Sequence, residues 1–148
     1  MVHQRGVNSI RYLLDTNIIS EALVPHPDPR VVEKLALVQP ESATAAPVWH
    51  ELLYGCLRLD ASPRRDRLYR YLHDVVATTL PIVAYDEPVA ARHAAERARL
   101  AREGRTPSFV DGQIAAIAQV HGLVLVTRNV SDFELFEDLA VENWFDAG

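Results

Sequence analysis

Short apolar runs that alternate with helical stretches constrain this chain more than any other feature of it. Residues 12–14, 42–46, 81–84 and 123–126 each read as a short strand, and 140–145 as a last edge strand. Between them, apolar residues recur at helical spacing over 18–24, 30–38, 48–57, 62–78, 86–104 and 110–118. A strand that returns only after a helix runs parallel to its predecessor, and the crossovers cover both faces of the sheet. We therefore expect an α/β fold with a mostly parallel central sheet of about four or five strands, flanked by helices on both faces.

Local signals support those boundaries. The Pro-rich piece 25–29 forbids regular structure and then opens a helix. Ser62-Pro63 and Asp86-Glu87-Pro88 are capped helix starts, while Gly104 and Gly122 end helices. Residues 133–139 read as an irregular or short helical segment. With 148 residues and no repeat or linker, we expect one domain over 1–148, its core about 10–145.

The run Tyr12-Leu13-Leu14 ends abruptly at Asp15. A carboxylate at the C-terminal end of a buried parallel strand lies where open α/β sheets place their ligands. Taken alone, Asp15 reads as an N-cap, with Thr16 and Asn17 offering further bonds to free N–H groups. Other acids in similar settings change that reading. On the expected layout Asp15 and Asn129 lie just beyond strand ends. Glu51 follows close behind the strand at 42–46, and Asp111 near a helix start leans over the same place. Clustered carboxylates repel, and hard divalent cations such as Mg²⁺ supply the missing counter-charge through oxygen ligands and water. Such a cation activates water and neutralises charge developing on phosphorus. His50, His73, His93 and His121 show no ligand spacing and are read as surface or satisfied structural residues.

A net charge of −5 argues against a uniformly basic nucleic-acid binder. Fourteen of the fifteen basic residues are Arg, many of them within 58–70 and 92–105. With Asp60, Asp66, Asp74, Glu96 and Glu103 among them, most read as solvated helix faces. Cys56 is the single cysteine, which excludes an internal disulfide; it reads as a core residue in an intracellular, cytoplasmic protein. The polar N-terminal stretch lacks the apolar core of a signal peptide, and no run is long enough to span a bilayer, so no membrane partner is expected.

Four motifs in order carry a resemblance: Tyr12-Leu13-Leu14-Asp15-Thr16-Asn17, His50-Glu51-Leu52-Leu53-Tyr54-Gly55, Asp111-Gly112-Gln113-Ile114-Ala115-Ala116, and Thr127-Arg128-Asn129 with Asp132-Phe133. Together they resemble the PIN-domain family, and most of all the VapC toxins of bacterial toxin–antitoxin pairs in their FitB-like branch. Asp86-Glu87-Pro88-Val89-Ala90 and Val141-Glu142-Asn143-Trp144 are similar to that branch too.

The resemblance implies a Mg²⁺- or Mn²⁺-dependent endoribonuclease silenced by a cognate VapB-like antitoxin. Asp15, Glu51 and Asp111 match the first three acids of the family site. Asp15 and Asp111 are the expected direct metal ligands, with Glu51 acting through water or orienting the nucleophile. Thr16, Asn17 and Thr127 match positions that brace the site. The fourth position, often Asp in the family, is Asn129 here, and it brings no charge. Asp132 either supplies the missing carboxylate or caps the segment at Phe133, and both readings stand. Arg128, or an Arg of the 64–70 group, is expected to hold RNA phosphates.

Two other readings compete. In one, a PIN-fold protein with little nuclease activity works mainly within an antitoxin–operator DNA complex, touching DNA only through the antitoxin. In the other, the chain is a phosphatase with an Asp nucleophile, which Asn17 in place of a second Asp disfavours. Trp49, Leu53, Tyr54, Leu57, Tyr69 and Leu72 offer apolar surface for a core and a homodimer face, with the core role favoured for each.

Overall fold

Tyr12–Leu14 (β1) is buried at every position, as a strand covered on both faces must be. It lies at the centre of a five-stranded sheet of order β3-β2-β1-β4-β5. The other strands are Ser42–Ala45 (β2), Ile82–Val83 (β3), Val124–Val126 (β4) and Val141–Glu142 (β5). Every pairing is parallel, and Leu14 stands opposite Thr44 on one side and Val126 on the other. The expected α/β architecture is therefore present. The structure is a computed structural model and describes residues 9–145. The polar N-terminal stretch up to residue 8, and the last three residues of the expected domain, lie outside the described residues.

The helices are Thr16–Glu21 (α1), Pro29–Val38 (α2), Ala46–Leu57 (α3), Pro63–Tyr71 (α4), Glu87–Arg102 (α5) and Phe109–His121 (α6). Asp28, Ser62, Asp86 and Ser108 each accept a backbone N–H at a helix start, so polar residues set where these helices begin. Gly122 ends α6 in the left-handed conformation, with φ 64°, that a residue with a side chain adopts at a cost. Among the described residues no helix is long and apolar enough to cross a membrane.

Several expectations need correction. The first helix starts at Thr16 rather than Ile18, because the Asp15 side chain, not that of Thr16 or Asn17, caps it. The helix expected over 62–78 is interrupted by a π-helical turn at Leu72–Val76 before a last turn at Ala77–Thr79. The extra residue rotates the apolar stripe, so Leu72 and Val76 are buried while Tyr69 and Val75 stay exposed. The segment at 133–139 is irregular, one of the two forms expected, and follows the 3₁₀ turn Val130–Phe133. The last strand is two residues rather than six, held by Trp144, whose ring meets Tyr12 edge-on at 5.7 Å.

Four further differences concern individual side chains. Tyr54, Leu57 and Tyr69 lie on the surface rather than in the core, whereas Leu72 and Cys56 are buried. Glu96 belongs to no solvated face, being only 6% exposed. His93 is buried and bonded to Tyr85, with 2.9 Å between Nδ1 and the hydroxyl, but His73 is not satisfied: its Nε2 is buried without a partner, between Trp49 and Tyr69. Finally, α6 carries a glycine at a point of close approach to α5. A Cβ at Gly112 would overlap the His93 imidazole, so this glycine sets how closely α5 and α6 approach.

Candidate active site

Asp15 leaves the end of β1 directly beside β4, since its N–H donates to the Val126 carbonyl at 2.9 Å. One carboxylate oxygen accepts the Thr16 N–H at 2.8 Å, and the other accepts the buried Thr127 hydroxyl at 2.8 Å. Asp15 is thus an N-cap and more: its second oxygen is fixed by a residue 112 positions later. Thr127 Oγ1 also accepts the Asn129 N–H at 3.1 Å, and Asn17 Oδ1 accepts the Arg128 N–H at 3.0 Å. The turn after β4 is therefore tied to the turn after β1 by side chains from both.

Asp111 sits in the first turn of α6, where the helix dipole favours an acid. Its N–H donates to Ser108 Oγ at 3.0 Å. Ser108 was not among the expected site residues, although Ser-x-x-Asp is a legible capping spacing. Burial pushes the Asp15 carboxyl above its ordinary value, and the charge of Asp132 adds to this. The Thr127 and Thr16 hydrogen bonds offset only part. Burial likewise raises Asp111, with Asp132 and Asp15 adding their repulsion against a bond to Ser108. Three acids from distant parts of the chain thus share one electrostatic neighbourhood.

Asp132 does not cap the turn at Phe133. It lies inside the 3₁₀ helix Val130–Phe133, whose cap position is Asn129, and the Asn129 side chain makes no capping bond. Glu51 stands apart from the three acids. It is an exposed residue of α3, 3.7 Å from His50 Nδ1, and it lines a cleft of 260 Å³ together with Thr16, Ser20 and Gly55. Arg128 lays its guanidinium over the Phe145 ring at 4.3 Å.

The donor set is all oxygen, part-buried and mutually repelling, which suits a hard divalent cation. As they stand, no three His, Cys, Asp or Glu side chains among the described residues are gathered closely enough to hold an ion.

Comparison with known proteins identifies the family. The family profile described as PIN domain matches residues 12–138. The chain is 36% identical to Toxin FitB of Neisseria gonorrhoeae, over 90% of this chain and 99% of that one. It is 30% identical to the tRNA(fMet)-specific endonuclease VapC of Shigella flexneri, over 91% and 98% of the two chains. The solved structure of FitAB bound to an IR36 DNA fragment matches with a TM-score of 0.85 and 32% identity, covering 93% of this chain and 97% of that one. This chain belongs to the PIN-domain family, among the FitB and VapC proteins.

Proposed function

We propose that this chain is the toxin of a type II toxin–antitoxin pair, an endoribonuclease that depends on a divalent cation. The observation that carries this reading is the raised, mutually repelling pair Asp15 and Asp111 beside Asp132, in a chain whose relatives include a named VapC endonuclease. VapC nucleases of this family are divalent-metal dependent. We assign the ion as Mg²⁺ or Mn²⁺, held by Asp15 and Asp111 and completed by Asp132. When bound, it supplies positive charge for phosphate oxygens and makes water acidic enough to attack.

The chain's own residues do the rest. Thr127 and Thr16 fix both oxygens of Asp15, so the carboxylate meets its ligand already oriented. Ser108 places the first turn of α6, and with it Asp111. Glu51, exposed along the cleft it shares with Thr16, acts through water or orients the nucleophile. Asn17 fixes the backbone of Arg128, and the Phe145 ring holds the Arg128 guanidinium flat, ready to receive a neighbouring RNA phosphate. Asn129 contributes through its backbone N–H to Thr127. Single-stranded loops of tRNA, rRNA or mRNA are the natural substrates, since their backbone can bend into a cleft.

Solved relatives include toxin–antitoxin assemblies, some on DNA. We assign this chain a VapB-like antitoxin as partner in the cytoplasm, contact with operator DNA only through that antitoxin, and a homodimer built in part on exposed Tyr54, Leu57 and Tyr69. A purely regulatory PIN protein is not favoured, because related chains are named as nucleases.

The test is cleavage of a mixed tRNA and rRNA pool by antitoxin-free protein in Mg²⁺, Mn²⁺ or EDTA, beside Asp15→Asn. Discrete fragments that need metal and vanish in the variant are expected. Activity that survives EDTA and the substitution would refute the assignment.

A further inference from the structure

Glu96 is the buried charge that the proposed chemistry leaves unused. It sits on α5 and is 6% exposed. Arg99 grips it with a two-point fork, Nε to Oε1 at 3.1 Å and Nη2 to Oε2 at 3.2 Å. Oε2 also accepts the Gln119 side-chain amide at 3.2 Å and the Glu137 backbone N–H at 3.0 Å. The same partners reach onward to one stretch of chain. Arg99 Nη2 donates to the Leu135 carbonyl at 3.0 Å, and Gln119 Nε2 donates to the Glu137 carbonyl at 2.6 Å. Arg92 joins them, donating to Gln119 Oε1 at 3.2 Å and to the Glu137 carbonyl at 3.4 Å.

A buried carboxylate is expensive, and removing it in favour of apolar packing is often neutral or better for stability. Burial alone pushes the Glu96 carboxyl up, yet the bonds from Arg99, Glu137 and Gln119 hold it below its ordinary value, so it is charged and fully engaged at neutral pH. All of that bonding converges on residues 135–137, which follow directly on the 3₁₀ turn Val130–Phe133 that carries Asp132. At the other end, the same turn is tied through the Asn129 N–H to Thr127, and through Thr127 to Asp15. The turn is thus pinned at both ends, once from the sheet and once from Glu96.

We propose that Glu96 is a positioning residue, whose clamp on residues 135–137 sets where Asp132 stands relative to Asp15 and Asp111 and thereby how tightly the site takes a divalent cation. The inference rests on the site reading above but concerns a residue outside the site. Its partners Arg99 and Gln119 belong to the same device.

The test pairs Mn²⁺ titration, followed by electron paramagnetic resonance, with amide hydrogen exchange. The proteins are wild type, Glu96→Gln, Gln119→Met, Asp132→Asn and the double variant Glu96→Gln/Asp132→Asn. Glu96→Gln sets an amide NH₂ against the Arg99 donors and breaks the fork. Gln119→Met removes two donors at nearly constant shape, should Glu96→Gln fold poorly. We expect faster exchange over 130–137 in both, and Mn²⁺ binding weakened about 10-fold by Glu96→Gln, as when a ligand's supporting partner is lost. In the Asp132→Asn background the Glu96 change should have no further effect. Unchanged exchange over 130–137, or an equal loss of Mn²⁺ affinity in the Asp132→Asn background, overturns the inference. A wild-type chain that binds no Mn²⁺ at all overturns the metal reading and this inference with it.

Discussion

Replacing Gly112 by Ala probes a place where two helices meet without room for a side chain. The new Cβ would fall 2.7 Å from His93 Cδ2 and closer still to Nε2, and neither partner yields easily. His93 is 3% exposed, bonded to Tyr85 and packed edge-on against Phe109 at 4.8 Å. Two effects oppose each other. Alanine inside a helix gains about 1 kcal/mol over glycine, while forcing a methyl into a filled core costs about 1–3 kcal/mol. With His93 held in place an overlap this close belongs at the upper end of that range, about 2–3 kcal/mol, leaving a net loss of about 1–2 kcal/mol. For a chain of this size that lowers Tm by about 2–8 °C. The same substitution in a His93→Ala background meets a cavity instead of a ring, so only the propensity gain remains and its sign should reverse. Thermal melts of the four proteins read both effects. Gly112→Ala that is neutral in the wild type, or equally harmful without His93, would refute the steric reasoning.

Asp15→Asn should abolish cleavage yet raise the Tm of the metal-free protein at neutral pH. The folded-state pKa of Asp15 is raised, so its ionisation costs stability above that value and nothing below the ordinary carboxylate range. The variant's advantage should therefore fade as pH falls through that window, and melts at several pH values would show an advantage that does not fade if this is wrong. Thr127→Val leaves a buried Asp15 oxygen and the Asn129 N–H without their partner. It should cost about 1–3 kcal/mol in urea unfolding, and a change within error would count against the bond. Asp132→Asn should weaken Mn²⁺ binding by about 10-fold or more, equivalent to 1.4 kcal/mol, whereas Asn129→Ala should leave it nearly unchanged. Calorimetric titration giving the opposite ranking would assign the fourth role to Asn129.

Features legible in the sequence are those decided within a few residues. The order of strands and helices follows from apolar periodicity, and the caps at Asp28, Ser62 and Asp86 need only the next turn to act. The places of Asp15 and Asp111 at helix starts were likewise legible, because each stands beside a buried run. What stayed hidden depends on partners far along the chain. Glu96 resembles any acid in an Arg-rich helix until Gln119 and Glu137 close around it. His73 looks like a surface histidine until the π-helical turn swings it between Trp49 and Tyr69. Asp132 reads equally as cap or ligand from spacing alone. Only the path of the chain after β4 brings its charge to bear on Asp15 and Asp111.

The hydrogen bond from Thr127 to Asp15 bridges 112 positions, and the strand that delivers Thr127 pairs with β1 itself. During synthesis the ribosome therefore releases Asp15 long before its partner exists. For most of its translation the nascent chain carries its first acid with no sheet neighbour on the β4 side and no Asp111 or Asp132 nearby. A chain terminated anywhere before β4 has neither Thr127 nor Asp132. The bond that fixes the second Asp15 oxygen therefore forms only after nearly the whole polypeptide has emerged.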